Sequence, residues 1–199
     1  MSQSLAHPWS QSGIFAHICY TGGMTSPETE PSTEGLFEGN HWELPPHIAL
    51  IVPAVTALRE RLRNTRWNEN EDDIDNIVIA FHEALSNSML FGSLQLQGGQ
   101  DKAKLQAAAK KKLDQLARAG TPVPMVSIDI ELNDDELKIT LQDQGKGFDP
   151  DAVPEPTVPE NLMELKPSGR GIFLMRQFFD KVTYLDNGRR LELVKRRGS

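Results

Sequence analysis

The stretch Val126-Ser-Ile-Asp-Ile-Glu-Leu-Asn-Asp-Asp-Glu-Leu-Lys-Ile-Thr-Leu-Gln-Asp-Gln-Gly-Lys-Gly147 carries the strongest structural signal in the chain. Val126, Ile128, Ile130 and Leu132 alternate with Ser127, Asp129 and Glu131, which is the period of a half-buried strand. Asn133, Asp134 and Asp135 supply a turn, and Leu137, Ile139 and Leu141 resume the alternation, so the stretch predicts an antiparallel hairpin. It ends on Asp143, Gly145 and Gly147: a carboxylate at a strand end, then two glycines where backbone can come close to a ligand. Asp-x-Gly-x-Gly also suits an ordinary β-turn, because Asp and Gly dominate turns for conformational reasons.

Upstream of the hairpin the pattern is helical. Ile48, Ile51, Val52, Val55, Leu58 and Leu62 recur at steps of three and four, predicting an amphipathic helix after His41-Trp-Glu-Leu-Pro-Pro46. A second helix is expected after Glu71-Asp-Asp73, whose charges suit the positive end of a helix dipole. Its core stripe is Ile74, Ile77, Val78, Phe81, Leu85 and Met89, and Gly92 is a natural stop. Residues 101–118, rich in Ala, Lys, Gln and Leu, predict a third helix whose lysines form a solvated face or a partner surface.

Downstream, Ser168-Gly-Arg-Gly-Ile-Phe-Leu-Met-Arg176 leads into a helix expected from about Gly171 to Phe179. Val182–Leu185 and Leu191–Val194 then flank Asp186-Asn-Gly-Arg189, a second hairpin with Asn-Gly as its turn signal. Helices segregated from antiparallel strands make this an α+β chain, a two-layer sandwich with helices on one sheet face. The other sheet face must then be polar or meet a partner, and a homodimer through the sheet or its edge is a further expectation.

Composition narrows the function classes. The 199 residues carry a formal charge of −7, which argues against a nucleic-acid-binding surface. Cys19 is the single cysteine, so neither a disulfide framework nor a Cys-based metal site is expected. No apolar run approaches the roughly 20 residues of a membrane-spanning helix, and the first 23 residues lack the basic start of a signal peptide. A cytoplasmic protein with no membrane partner is expected. Residues 1–40 read as a disordered tail, with Met24 as an alternative start, and residues 41–197 as one domain extended by a helical segment over 93–123.

The candidate site residues come from three places. Glu83 and Asn87 stand four apart on the second helix, on one face and about 80–90° around from the Phe81, Leu85 and Met89 stripe. A carboxylate to activate a hydroxyl or water and an amide oxygen for Mg²⁺ are parts that phosphoryl transfer requires. An ordinary exposed polar pair has the same spacing. Gly169, Arg170 and Gly171 offer unhindered N–H groups and a positive side chain at a helix start, suited to phosphates, or a plain loop-to-helix junction. His82 points roughly 100° from Glu83, and Trp42 and Trp67 read as packing residues.

Taken together and in this order, Glu83-Ala-Leu-Ser-Asn87, Asp143-Gln-Gly-Lys-Gly-Phe-Asp-Pro150, Pro159-Glu-Asn-Leu162, Ser168-Gly-Arg-Gly-Ile-Phe-Leu174, Asp180-Lys-Val182 and Gly188 to Lys195 resemble the bacterial anti-sigma factor serine kinases. These belong to the ATP-binding superfamily of the Bergerat, or histidine-kinase-like ATPase, fold. The resemblance implies a mixed, mostly antiparallel sheet and the cofactors ATP and Mg²⁺. It also implies two partners, a sigma factor and an anti-anti-sigma antagonist whose serine is phosphorylated. Glu83 would be the general base, Asn87 the Mg²⁺ ligand and Asp143 the adenine-reading carboxylate. Gly145 and Gly147 would let the chain pass close to the nucleotide, Gly169, Arg170 and Gly171 would close on its phosphates, and residues 150–168 would form a short lid. Phe91 departs from the pattern, since family members commonly carry a histidine four residues after the helix Asn. That departure leaves open a regulatory module that holds ATP without transferring its phosphate, beside a simple ATPase.

Overall fold

The computed structural model describes residues 33–98, 101–149 and 167–198. Five strands form one sheet, β1 (His41–Leu44), β2 (Val126–Leu132), β3 (Glu136–Gln142), β4 (Lys181–Leu185) and β5 (Arg190–Arg196), in the order β1-β2-β3-β5-β4. Every pairing is antiparallel, a simpler sheet than the mixed one implied by the resemblance. Among the described residues four α-helices accompany it: α1 (Ile51–Arg63), α2 (Glu71–Asn87), α3 (Lys102–Arg118) and α4 (Pro167–Phe178).

The alternation in β2 and β3 does what its period demands. Val126, Ile128, Ile130, Leu137, Ile139 and Leu141 all turn to the helix-covered face and are fully buried. Asn133 closes this hairpin by accepting the N–H groups of Asp135 and Glu136 on its Oδ1 at 2.9 and 2.8 Å. The opposite face presents Asp129, Glu131, Lys138, Glu192 and Arg190, with Lys138 paired to Glu131 and Arg190 to Glu192. That face is polar, so it can stand against water without a cover.

Helix α2 lies between α1 and α4 on the covered face. Ile74, Ile77, Val78, Phe81, Leu85 and Met89 are buried along it, and Ala80 and Ala84 widen its buried surface. Its start is capped by Asn70, whose Oδ1 accepts the Asp73 N–H, with Glu71, Asp72 and Asp73 in the first turn. The α1 stripe holds at Ile51, Leu58 and Leu62, but Val52 is 65 % exposed and faces away from the core.

Strand β1 is the element with no forewarning in the local pattern. Four residues are too few for a clear period, and its strand character comes from pairing, Trp42 opposite Ile128 and Leu44 opposite Val126. Trp42 and Trp67 are both packing residues, each 1 % exposed. Phe37 meets the Trp42 ring edge-on at 5.2 Å, the Arg61 guanidinium lies over it, and Trp67 donates Nε1–H to the Asn133 carbonyl.

Candidate functional site

The helical turns that follow α2 end one residue past Gly92. After Asn87 the helix widens into π-type turns over Ser88–Ser93, the Leu94 N–H reaching back five residues to the Met89 carbonyl. Such widenings add a residue to the turn and rotate the residues beyond it, and they are frequent at functional sites. Here the widened turn brings Gly92 against Asp143. A Cβ on Gly92 would come within 2.8 Å of Asp143 Oδ1 and closer still to Cγ and Oδ2. Only a residue without a side chain leaves room for the carboxylate there.

Asp143 lies just past the end of β3 and is 7 % exposed. Its Oδ1 accepts the Gly145 N–H at 2.8 Å, and Oδ2 has no hydrogen-bond partner among the described residues. Burial pushes its carboxyl above the usual range, against the opposing pull of the Gly145 N–H and the nearby Arg189 charge. Oδ2 is not sealed from solvent, so it stays open to a donor brought by a ligand. A neutral amine held in the plane of the carboxylate would supply one.

The loop behind Asp143 hangs on the β4–β5 turn. The Asp143 N–H donates to the Arg189 carbonyl at 2.9 Å and the Phe148 N–H to the Asn187 carbonyl at 2.8 Å. The turn spans Asp186–Arg189, longer than an Asn-Gly pair alone, with Asp186, Asn187 and Gly188 at positive φ of 52°, 56° and 77°. Gly188 has the Phe148 ring where a side chain would go, and the Phe148 ring in turn meets Tyr184 edge-on at 5.2 Å. Burial pushes the Tyr184 hydroxyl up to about 12.

The protein itself accounts for the bareness of the first glycine box. A Cβ on Gly145 would run into the Gly92 carbonyl group, and one on Gly147, at φ +74°, into the Asn187 carbonyl. Both glycines let three loops close on one another beside Asp143.

A second cluster gathers where α4 crosses α2. Gly171 is buried, and a Cβ there would stand 3.0 Å from Glu83 Oε2 and 3.1 Å from Asn87 Nδ2. Glu83 and Asn87 are half-buried and share that edge of α2, while His82 sits beside Glu83 at 3.9 Å with its side chain 45 % exposed. The helix begins at Pro167, so Gly169, Arg170 and Gly171 lie inside its first turns and not ahead of it. Proline suits that first position because its missing N–H has no acceptor there anyway. The remaining early N–H groups have no partner within the helix and suit an anion. Arg170 is exposed. Residues 150–166, most of the expected lid, lie outside the described residues.

Asn87 and Gly92 are separated by about 8 Å of helix rise. One edge of α2 therefore joins the carboxylate cluster around Asp143 to the Glu83, Asn87 and Gly171 cluster. The donors suit Mg²⁺ bound largely through phosphates and water, since one amide oxygen and one carboxylate are what such sites draw from the protein. Among the described residues no three His, Cys, Asp or Glu side chains converge into a self-sufficient metal site.

Sequence reasoning missed Gly92, read as a helix stop, and the support that Asn187, Gly188 and Arg189 give to the Asp143 loop.

This geometry, an antiparallel sheet under helices with a buried strand-end carboxylate facing a Glu and Asn helix, defines a class of nucleotide-binding α+β domains. The chain belongs to the histidine kinase-like ATPase domain family, whose model matches residues 44–195. It is 28 % identical over 160 residues to the serine-protein kinase RsbW of Staphylococcus epidermidis, a match covering 75 % of this chain and 86 % of that protein. It is 27 % identical over 159 residues to the serine-protein kinase RsbW of Staphylococcus aureus strain MRSA252, covering 74 % and 85 %. No described helix is long and apolar enough to cross a membrane.

Proposed function

We propose that this protein is an ATP- and Mg²⁺-dependent anti-sigma factor kinase, which binds a sigma factor and phosphorylates a serine of an anti-anti-sigma antagonist. The observation that carries the nucleotide part is Asp143: buried, oriented by Gly145, and with one oxygen that no described residue engages. Adenine's exocyclic amine supplies the donor that oxygen lacks. The kinase part is supported by the similarity to serine-protein kinases and by Glu83, which stands one turn from Asn87 on the same edge.

Asn87 would hold Mg²⁺ together with the nucleotide's phosphates, and the metal would offset the charge that develops in phosphoryl transfer. Glu83 would accept the proton of the attacking serine hydroxyl. The early N–H groups of α4 and Arg170 would draw the phosphates toward Glu83 and Asn87. A phosphoserine adds about 1.5 to 2 negative charges, enough to open a docking interface by repulsion and desolvation. Pairing of two copies through a sheet edge, β1 or β4, is part of the same proposal.

A second reading, a partner switch that holds ATP without transferring its phosphate, is favoured by one observation. Phe91, 38 % exposed on the widened turn, cannot exchange a proton or donate a hydrogen bond where the resemblance implies a histidine. Incubation with γ-labelled ATP, Mg²⁺ and candidate antagonist proteins separates the readings. Label on an antagonist serine is the expected result, and nucleotide retention without any labelled protein would replace the kinase by the switch.

A further inference from the structure

Six of the chain's 21 basic residues sit in the 17 residues of α3: Lys102, Lys104, Lys110, Lys111, Lys112 and Arg118. Asp114 is the one acid within the helix. This is a strongly positive element in a chain whose formal charge is −7. We propose that α3 is a docking helix for an acidic helical segment of a protein partner, and that its occupancy is coupled to the nucleotide site.

The orientation of α3 is set by its apolar side. Ala109, Leu113 and Leu116 pack against Leu90, Leu94 and Leu96, a small core separate from the main one. Lys104, Lys111 and Arg118, each exposed, lie one heptad apart and roughly opposite that anchored stripe. Successive members of the row are about 10 Å apart along the axis. Among the described residues Lys104 pairs with Asp101, the residue that caps its own helix, at 3.1 Å. Lys111 and Arg118 form no ion pair among the described residues. A helix with carboxylates every seventh residue presents the complementary row, the arrangement by which charged flanks choose partners in paired helices.

A nucleic acid fits this surface less well. The basic row is about 20 Å long, and the chain as a whole carries a formal charge of −7, which disfavours a longer polyanion.

The coupling follows from where α3 is anchored. Leu90 and Leu94 bracket Gly92 in the widened turn, and Gly92 abuts the Asp143 carboxylate. A partner that shifts or stiffens α3 therefore acts on the packing that holds Asp143. By linkage, a nucleotide at Asp143 must change the partner's affinity by the same factor. This coupling rests on the nucleotide reading given above; the docking does not.

The test uses the full chain and a fluorescein-labelled, alanine-rich 21-residue helical peptide with glutamates at seven-residue spacing. Its controls are a peptide of equal charge with scrambled spacing and a DNA duplex of similar length. The heptad peptide is expected to bind at low salt and to weaken as salt rises. The triple variant K104E/K111E/R118E is expected to weaken it at least about tenfold while keeping the thermal shift with Mg·ATP. Saturating Mg·ATP is expected to change the peptide's Kd in the wild-type chain. Equal binding by the triple variant, no preference over the scrambled peptide, or tighter binding of the duplex would overturn the docking. An unchanged peptide Kd in a chain that shows the Mg·ATP thermal shift would overturn the coupling alone. Loss of that shift in the wild type would instead remove the nucleotide reading.

Discussion

The Asp143 carboxylate rests on the bare Cα of Gly92, so the end of β3 and the widened last turns of α2 meet without a side chain between them. Two elements far apart in the chain thereby share one site. The Asp143 carboxylate takes its position from the turns that continue the helix carrying Glu83 and Asn87.

The first consequence concerns Gly92. A methyl group there would overlap the carboxylate, and Gly92→Ala must push Asp143 aside or shift the turn. Overpacking of this kind costs about 1–3 kcal/mol, and ATP affinity should fall at least about tenfold as the carboxylate leaves its orientation. Calorimetric titration with Mg·ATP and a thermal melt of the same variant check both. Unchanged affinity would show that the contact does not position Asp143.

Asp143→Asn should separate binding from stability. Burial raises this carboxyl's pKa in the folded state, so folding favours the protonated form. The contribution is favourable below the unfolded-state pKa and is lost as pH rises through the raised folded value. At neutral pH the buried charge is a burden, and Asp143→Asn should be at least as stable as the wild type there, with the difference shrinking toward low pH. ATP binding should be lost, because an amide cannot take the carboxylate's place without turning its own donor toward the amine. Melts from pH 3 to 8 with and without Mg·ATP read both effects.

Glu83 and Asn87 should fail in different ways. Glu83→Ala is expected to keep ATP binding, seen as a thermal shift, and to lose serine phosphorylation by about 100-fold or more, the usual contribution of a positioned base. Asn87→Ala, or chelation of Mg²⁺ by EDTA, is expected to weaken nucleotide binding and transfer together. Equal loss of binding in both variants would undo the division of roles.

The β4–β5 turn should matter to the site although it carries no reactive group. Gly188 has φ +77° and the Phe148 ring in the place of a side chain. Gly188→Ala should cost about 1–3 kcal/mol through strain and displacement of Phe148, and should weaken ATP binding because Asn187 and Arg189 hold the Asp143 loop. Hydrogen exchange of the Phe148 amide, faster in the variant, would locate the damage.

The strands and helices were largely legible in the order of residues because their signals are local. Apolar side chains at a period of two or near 3.6 declare which face will be buried, as in Ile128, Ile130 and Leu132 or in Ile74, Ile77 and Phe81. The N-terminus of α2 was legible in Glu71, Asp72 and Asp73, and the turn of the first hairpin in Asn133. Strand β1 was not, since only its pairing with β2 makes four residues a strand. Val52 was misplaced because it stands about 100° around the helix from Ile51, off the line that Ile51, Leu58 and Leu62 share.

By itself the sequence determined the α+β class, the three groups of candidate residues and the family they resemble, because periodicity and short motifs are properties of neighbouring residues. Tertiary structure alone decided what those groups touch. It made Gly92 a wall of the Asp143 site, set Gly171 against Glu83 and Asn87, and turned the Asp186–Arg189 loop into a support. Such contacts depend on steric exclusion at ångström scale between segments distant in the chain. A glycine records only that something comes close, and the fold is needed to say what.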